Sequence, residues 1–497
     1  QDRTDSTPAQ PNFSSGTRSS GSSSSSRSST GSTDSDDIQK PDRPSPLRQE
    51  PTAAHGAAGT EDASSSATGI RALEGPECDA TLSKTYCHMH SSLTLVPDNY
   101  TIAGTIQFRS DNLTLDCNGS TIRYDDPYAL IYAKHRSNIT VKNCILQPIG
   151  TAIGFKGNFP REQDFLIINI TVIRNDAECN IDSCNQGIYA ENLSSVVITQ
   201  ADISDLKTKR YGIHLWNVHN ARVNNNVFHG LQGNDIAALH VRNLTAINNT
   251  YANPWRYAAV YFSNTSDSTI ARSTFFMDPP VWLRNFSEPT YDTWDIPLGT
   301  IPKDYPASTA IWIEGDSHDN WIHGNHIYNW SSVGIFMKHT QDNNITYNYI
   351  DHITDDMSYF PWWDNYPDGI ELDRVHDISI SHNHITKAKK HGIGVWDAEN
   401  ITIKYNNIIS NNLYSNNSYA NFQLYNSTNI TFKYNNLDTD GTCWPWIKRL
   451  DDDYYCPNSI MIEDTIWNRN ANQTWIDLHP VPGPFTNEEL HIVGRGA

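Results

Sequence analysis

Three charged residues could carry acid–base chemistry because they occupy the same position of a repeated strand. Glu314, Lys338 and Asp373 each lie three residues after the first hydrophobic residue of such a strand. If equivalent strands stack about 4.8 Å apart, the two carboxylates lie about 9.6 Å apart with the lysine between them. That separation falls at the upper edge of the ~6.5–9.5 Å window of inverting glycosidases. The alternative is an alternating charge ladder whose members only neutralise one another.

Further side chains of catalytic type align with the same strands. Glu371 lies two residues before Asp373 and is expected on the same face. Asp368 and His391 each precede a Gly-Ile pair in successive coils. Carboxylates and a base of this kind can exchange protons with a glycosidic bond. The candidate catalytic set is therefore Glu314, Lys338, Asp368, Glu371, Asp373 and His391.

Aromatic side chains surround these charged positions, and their rings suit the apolar faces of sugars. Two long insertions, at about 277–306 and 354–367, bracket the patch. Aromatic residues exposed on long loops are unfavourable unless they bind something. The candidate substrate-binding residues on the strands and in the second insertion are Trp312, Phe336, Trp362, Trp363, Trp396, His214, Trp216 and Tyr261.

These positions can be aligned because a short phrase of alternating β-branched residues around an inner Asn returns along the chain. The inner Asn stands at 325, 348, 383, 406 and 435, so the steps are 23, 35, 23 and 29 residues. The unit is 23 residues, and the excess is inserted loop. A repeat of this length is typical of solenoids, and the alternation favours strands. The pattern predicts an all-β fold, a single-stranded right-handed parallel β-helix.

The inner Asn has a structural interpretation. Asn tolerates the left-handed conformation that a turn needs, and its amide can bond the equivalent Asn in the coils above and below. We therefore expect it at a corner of each coil. A glycan array or a metal ladder is the alternative interpretation of the same column.

Composition divides the chain into three regions. Residues 1–72 contain a stretch from Ser14 to Thr33 that is almost entirely Ser, Gly and Thr. Such a segment cannot bury enough apolar surface to offset its ordering entropy, so we expect a disordered tether. Residues 73–440 would form the β-helix, and residues 441–497 a C-terminal cap with a disulfide loop.

Charge and hydropathy limit the partners of the protein. The formal net charge of −20 argues against nucleic acid. No apolar run reaches the length of a membrane span. A polysaccharide or glycan is the expected partner, and the solenoid is expected to be a monomer.

The eight cysteines favour an oxidising compartment, so the protein is expected to be secreted or on the cell surface. Because the chain begins with Gln1, an export signal is expected to have been removed. Three pairs are close in sequence, and a fourth would lie one coil apart. The predicted disulfides are Cys78–Cys87, Cys117–Cys144, Cys179–Cys184 and Cys443–Cys456.

Two segments resemble coils of the pectin-lyase-like superfamily of parallel β-helix proteins: Leu113-Thr-Leu-Asp-Cys-Asn-Gly-Ser-Thr-Ile and Asn138-Ile-Thr-Val-Lys-Asn-Cys-Ile-Leu. With the later coils, the resemblance covers about residues 95–440. It implies the fold and a carbohydrate-active class. The superfamily includes lyases, polygalacturonases, uronan epimerases, tailspikes and non-enzymatic surface proteins, so the resemblance does not select an activity.

Departures from the polygalacturonase motifs leave the activity open. Pro367-Asp368-Gly and Lys390-His391-Gly stand in the places of Asp-Asp and Gly-His-Gly. The first Asp of Asp-Asp is missing, and no Arg-Ile-Lys follows. The epimerase motif Asp-Pro-His-Asp is not matched by Met277-Asp-Pro-Pro.

Two classes of function follow. The favoured one is a secreted polysaccharide-degrading glycoside hydrolase, with Asp373 or Asp368 as the acid and Glu314 or Glu371 as the base. A uronate lyase or epimerase on the same groove is an alternative, in which cations neutralise the uronate and calcium could bind to carboxylates. The other class is a non-catalytic glycan-binding surface protein that uses its Ser-rich arm as a spacer.

Overall fold

The protein is a parallel β-solenoid. The computed structural model describes residues 76–82, 86–124, 128–157, 163–173, 186–204, 211–231, 233–253, 258–277, 309–354, 367–409, 411 and 421–437, together with strands at 460–463, 474–477 and 489–493. All belong to the unit Arg71–Ala497. These residues form strands and turns and contain no helix, so the predicted all-β class is confirmed. The predicted N-terminal tether lies outside them.

Each coil contributes one strand to a sheet of 14 parallel strands, here called the front sheet. Its strands pair in chain order along the solenoid. They are Cys87–Met89, Ile106–Phe108, Ile131–Lys134, Ile153–Lys156, Ile188–Glu191, Tyr211–Trp216, Asn234–Leu239, Ala258–Ser263, Thr309–Glu314, Ile335–Lys338, Ile370–Asp373, Ile393–Trp396, Phe422–Tyr425 and Ile460–Glu463.

Two further strands complete each coil and form the second and third ladders. Ile139–Pro148 and Asp164–Ile173 run through both. The other strands of the second ladder are Leu93–Thr94, Leu113–Asp116, Ser195–Thr199, Asn220–Asn224, Leu244–Ile247, Thr269–Ala271, Trp321–His323, Asn344–Thr346, Ser379–Ser381, Thr402–Lys404 and Thr431–Lys433. Those of the third are Asn99–Ile102, Thr121–Tyr124, Asp202–Ser204, Val227–His229, Thr250–Ala252, Thr274–Phe276, His326–Ser331, Tyr349–Thr354, His384–Thr386, Asn407–Ile409 and Asn436–Leu437.

The C-terminal strands close the solenoid differently. Glu489–Val493 pairs antiparallel with Thr431–Lys433 and with Thr474–Asp477. The front sheet itself continues to Ile460–Glu463, beyond residue 440, where the sequence placed the start of the cap. An antiparallel strand on the last coil covers backbone groups that would otherwise form an exposed edge.

The core consists of the inward residues of the three strands. In Ile335–Lys338, for example, Ile335 and Met337 are fully buried and the residues between and after them face outward. Fully burying one such side chain contributes about 1.5–3 kcal/mol. Because each coil repeats this alternation, the buried residues stack into continuous columns along the axis.

The inner Asn residues form a buried hydrogen-bonded ladder. Asn325 donates from Nδ2 to Oδ1 of Asn348 at 3.0 Å, and Asn348 does the same to Asn383. Each also donates to a backbone carbonyl of the preceding coil, as Asn383 does to Ile345. The structural interpretation of these residues is therefore confirmed.

The prediction that the inner Asn adopts the left-handed conformation is wrong. That conformation belongs to the residue just before it, at Gly324, Tyr347, His382, Tyr405 and Tyr434. The reason is geometric: the turn must be tight there so that the following amide points inward to the ladder. The side chains of these left-handed residues point outward. Tyr347, His382 and Tyr405 stack on one another, with ring centroids 4.7 and 5.1 Å apart.

Two of the predicted disulfides are present. Cys78 bonds Cys87, and Cys117 bonds Cys144 between equivalent positions of adjacent coils. The other four cysteines lie outside the described residues. A bridge between cysteines 27 residues apart, as in Cys117–Cys144, typically stabilises a protein by about 3–4 kcal/mol.

The carboxylate of Asp235 is buried inside the solenoid. Asp235 is 1% exposed, and neither carboxylate oxygen has a hydrogen-bond partner. Equivalent positions in neighbouring coils hold Gly212 and Ala259. Burial raises the pKa of Asp235 well above its usual value, and the pKa of nearby Tyr251 is also raised, mainly by burial.

We expect Asn383→Ala to lower the free energy of unfolding by about 2–4 kcal/mol, because it leaves two buried donors of Asn348 without their acceptor. Urea denaturation followed by circular dichroism measures the change. Asn407→Ala is the matched control, since Asn407 bonds His384 and Asn436 on the outer surface. Equal losses in the two variants would contradict the assigned role of the inner ladder.

Asp235→Asn should stabilise the protein at neutral pH but not at about pH 4. The raised pKa means that the folded state holds its proton when the unfolded state has lost it, so stability falls as the pH rises above the unfolded pKa. Each pKa unit corresponds to about 1.4 kcal/mol. Urea midpoints at the two pH values, with exposed Asp316→Asn as control, test this. A gain that is the same at both pH values would refute it.

Candidate functional site

The front sheet brings the charged residues of the predicted column together. Glu314 pairs in register with Lys338, and Lys338 with Asp373. All three lie at the same position of adjacent strands and project to the outer face. Glu314 and Lys338 are half-buried, whereas Asp373 is buried at 5% exposure.

Glu314 is held by a tyrosine from the preceding coil. The Tyr261 hydroxyl donates a hydrogen bond to Glu314 Oε1. Burial raises the pKa of Tyr261, and the hydrogen bond to Glu314 and its negative charge raise it further. The phenol therefore keeps its proton and acts as a hydrogen-bond donor that fixes the position of the carboxylate.

Asp373 is engaged by two cations. Its carboxylate lies 3.6 Å from Lys338 Nζ and 3.7 Å from Arg374 Nε, and the same guanidinium lies 3.9 Å from Asp397. Arg374 also contacts the ring of His339 at 3.3 Å. The charge-ladder interpretation thus describes Asp373 and Lys338 well. A buried carboxylate in two ion pairs is poorly placed to give a proton to a substrate.

Asp368 and His391 form a buried pair. Asp368 Oδ1 accepts the His391 backbone N–H at 2.9 Å and lies 3.1 Å from Nδ1 of the ring. Their exposures are 0% and 1%, so neither reaches the surface. Asp368 Oδ2 has no hydrogen-bond partner.

The indole of Trp396 covers this pair. Its ring packs against Gly394, where an added Cβ would lie 2.0 Å from the indole and 2.8 Å from Asp368 Oδ2. The ring centroids of Trp396 and His391 are 6.0 Å apart. Only glycine at position 394 allows this arrangement, and its role was not visible in the sequence pattern.

Aromatic rings line the other outward column beside Glu314. Tyr261, Trp312 and Phe336 follow one another on adjacent strands, with ring centroids 5.9 and 5.3 Å apart. Glu371 occupies the next strand in the same column and is half-buried. This column therefore forms an aromatic floor that ends in a carboxylate.

A second aromatic group lies further along the front sheet. His214 is 6% exposed and lies against Tyr189 and Tyr211, with centroids 5.2 and 4.4 Å away. Trp216 is 41% exposed. The strand Asn234–Leu239 separates this group from Tyr261. Sequence reasoning found His214 and Trp216 but missed the two tyrosines, whose aromatic type and register were the available signal.

The long insertions each precede a strand of the front sheet and join it at its N-terminal end. Segments 278–308 and 355–366 connect third-ladder strands to the front strands Thr309–Glu314 and Ile370–Asp373. Trp362 and Trp363 belong to the second segment and lie outside the described residues. The insertions therefore precede two of the front strands that carry the candidate site, and Glu314 and Asp373 lie at the opposite, C-terminal ends of these strands.

Two family models match the sequence. One, described as periplasmic copper-binding protein (NosD), matches residues 138–358, and the other, right handed beta helix region, matches residues 303–437. The chain is a right-handed parallel β-helix protein. The fold implied by the resemblance to the pectin-lyase-like superfamily is thereby confirmed. No curated protein has a significantly similar sequence.

Solved β-helix structures are similar in fold at low identity. The periplasmic alginate epimerase AlgG is 11% identical with a TM-score of 0.37, covering 77% of this chain and 78% of its own. The GH136 lacto-N-biosidase from Eubacterium ramulus is 9% identical with a TM-score of 0.39, covering 65% and 59%. The Agl-KA catalytic domain is 13% identical with a TM-score of 0.42, covering 75% and 62%. Likenesses of this strength give no argument about activity.

The residues described do not fit a metal site. Copper prefers clustered imidazole and sulfur ligands, and calcium prefers several oxygens. Within the described ranges there is no group of three or more His, Cys, Asp and Glu that could hold a metal ion.

The match to a periplasmic family and the two disulfides fit an extracellular or periplasmic protein. Across the described part of the chain, no helix has the length and hydropathy to cross a membrane.

Gly394→Ala should displace the Trp396 indole and expose His391, at a cost of about 1–3 kcal/mol from overpacking. Modification by diethyl pyrocarbonate, followed by peptide mass spectrometry, measures the exposure. In the wild type, exposed His382 should react and His391 should not. Trp396→Ala should also make His391 reactive. Continued protection of His391 in both variants would show that the indole is not its cover.

Proposed function

We propose that the protein is a secreted polysaccharide-degrading enzyme, a glycoside hydrolase, whose active site lies on the front sheet around Trp312, Phe336, Glu314 and Glu371. The observation that carries the proposal is that two half-buried carboxylates lie beside an aromatic floor on front strands that directly follow the two long insertions. Aromatic rings hold sugar faces, and a pair of carboxylates supplies the acid and the base of hydrolysis.

The contacts divide the roles between the carboxylates. Glu314 is the base, because the Tyr261 hydroxyl donates a hydrogen bond to Oε1 and fixes the position of the carboxylate. Glu371 is the acid, because it is half-buried at the end of the aromatic floor, on the strand next to Phe336. Asp373 contacts Lys338 and Arg374, and Asp368 is covered by Trp396, so both are less accessible to a substrate. These roles narrow the four candidates that the sequence offered.

The reaction is a displacement by water. Glu371 gives its proton to the glycosidic oxygen as the bond to the anomeric carbon breaks. Glu314 removes a proton from the attacking water, whose hydroxyl forms the new bond to that carbon. The strands that carry the two carboxylates are two rungs, about 9.6 Å, apart. Because Glu371 aligns with Trp312 and stands two residues before the position aligned with Glu314, the two Cα atoms are about 12 Å apart. The two side chains must lean toward each other to bring the carboxylates within the ~6.5–9.5 Å that leaves room for the water.

A non-catalytic glycan-binding surface protein is the second candidate. It is favoured by the alternating ion pairs of Lys338, Asp373 and Arg374, which satisfy one another as in a purely structural ladder. The same aromatic floor would then hold a glycan without cleaving it.

Reducing-sugar release from a panel of plant, algal and bacterial polysaccharides tests the proposal. Glu314→Gln and Glu371→Gln should each lower kcat by about 100-fold or more, since each removes one proton-transfer group. Glu191→Gln is the matched control: Glu191 stands in the same outward column, accepts a hydrogen bond from Tyr189, and pairs with Lys156 far from the site. Its activity should be unchanged.

The outcomes separate the two candidates. Glycan binding without product in the wild type supports the binding protein and overturns the enzyme. Full turnover by the Glu314→Gln and Glu371→Gln double variant overturns the assigned roles. Products that absorb near 235 nm would indicate elimination instead of hydrolysis.

A further inference from the structure

We infer that this site takes a neutral glycan and disfavours a polyuronate. The inference rests on the proposed function and names the substrate class of the same site. It follows from the charged side chains beside the aromatic floor and from the ion pairs that the nearby cations already form. The sequence alone left neutral and acidic polysaccharides equally open.

The cations that could neutralise a uronate are already engaged. Lys338 and Arg374 both contact the carboxylate of Asp373, which is only 5% exposed. Arg374 also lies near Asp397. A uronate carboxylate that drew either cation away would weaken its contact with Asp373. Lys338 and Arg374 are themselves partly exposed, so the cost lies in the buried carboxylate that loses a partner.

Several carboxylates lie beside the two cations of the site. Glu314 and Asp373 stand on either side of Lys338 along the front sheet, and Asp397 lies near Arg374. Glu371, as the assigned acid, carries a proton and is not counted among the negative charges. The hydrogen bond that Glu314 receives comes from Tyr261, a neutral hydroxyl that leaves its charge in place. Like charges at these separations repel, so each substrate carboxylate brought to the floor raises the free energy of binding.

The substrate class also bears on the chemistry. Elimination from a uronate requires a group that neutralises its carboxylate as charge develops, and the cations of this site are committed to Asp373. Hydrolysis of a neutral glycan requires no such group. The arrangement therefore favours water as the second reactant.

The experiment compares matched pairs of substrates that differ in one group. Cellohexaose, mannohexaose and amylose are each offered beside their C6-oxidised forms, in which the primary hydroxyl is replaced by a carboxylate. Binding is measured by calorimetry with Glu314→Gln protein, and cleavage with wild type. For the backbone that is accepted, the neutral form should bind at least about tenfold more tightly at low salt. The difference should shrink as salt rises.

A charge-reversed variant gives the second readout. Glu371→Lys should narrow or reverse the binding preference toward the oxidised form, whereas Glu191→Lys, far along the same sheet, should not change it. Tighter binding or faster cleavage of an oxidised polymer by the wild type would overturn the inference while leaving a glycan-active site in place. No binding and no cleavage of any member of either series, or of the wider polysaccharide panel, would instead overturn the proposed function itself, and this inference with it.

Discussion

The parallel pairing of equivalent strands is the constraint on which the rest of this structure depends. Each coil repeats the path of the one before it, so residues 23 or more positions apart in sequence become neighbours at the spacing of strands in a sheet. The buried Asn ladder holds this register from inside, because each amide bonds the equivalent amide of the next coil. Insertions are tolerated since they leave the register of the flanking strands unchanged.

A site built on such a scaffold is rigid, but its side chains are closely packed against their neighbours along each column. The floor of Trp312 and Phe336 is fixed by backbone pairing on both sides, which positions Glu314 and Glu371 without any flexible element. This close packing makes Asp373 and Asp368 less accessible to a substrate. Asp373 forms ion pairs with neighbouring cations, and Asp368 is covered by Trp396. The four carboxylates of similar type therefore differ in what they can do.

Much of the fold could be predicted from sequence because its signal is periodic. Alternation in Ile-Trp-Ile and Ile-Phe-Met fixes which side chains face the core. The recurring strand pattern aligns Glu314, Lys338 and Asp373, which are 24 and 35 residues apart. The site was harder, since contacts there depend on side-chain direction. The burial of Asp368 follows from the absence of a side chain at Gly394, and the bond from Tyr261 to Glu314 spans a long insertion. The buried Asp235 breaks the alternation rule itself, so no pattern indicated it.

The most direct test of the account is a crystal structure of Glu314→Gln protein with a bound neutral oligosaccharide. The account predicts sugar rings stacked on Trp312 and Phe336, with a glycosidic oxygen within hydrogen-bond distance of Glu371. A sugar bound elsewhere, such as on the outer surface of the third ladder, with the front sheet empty, would contradict it.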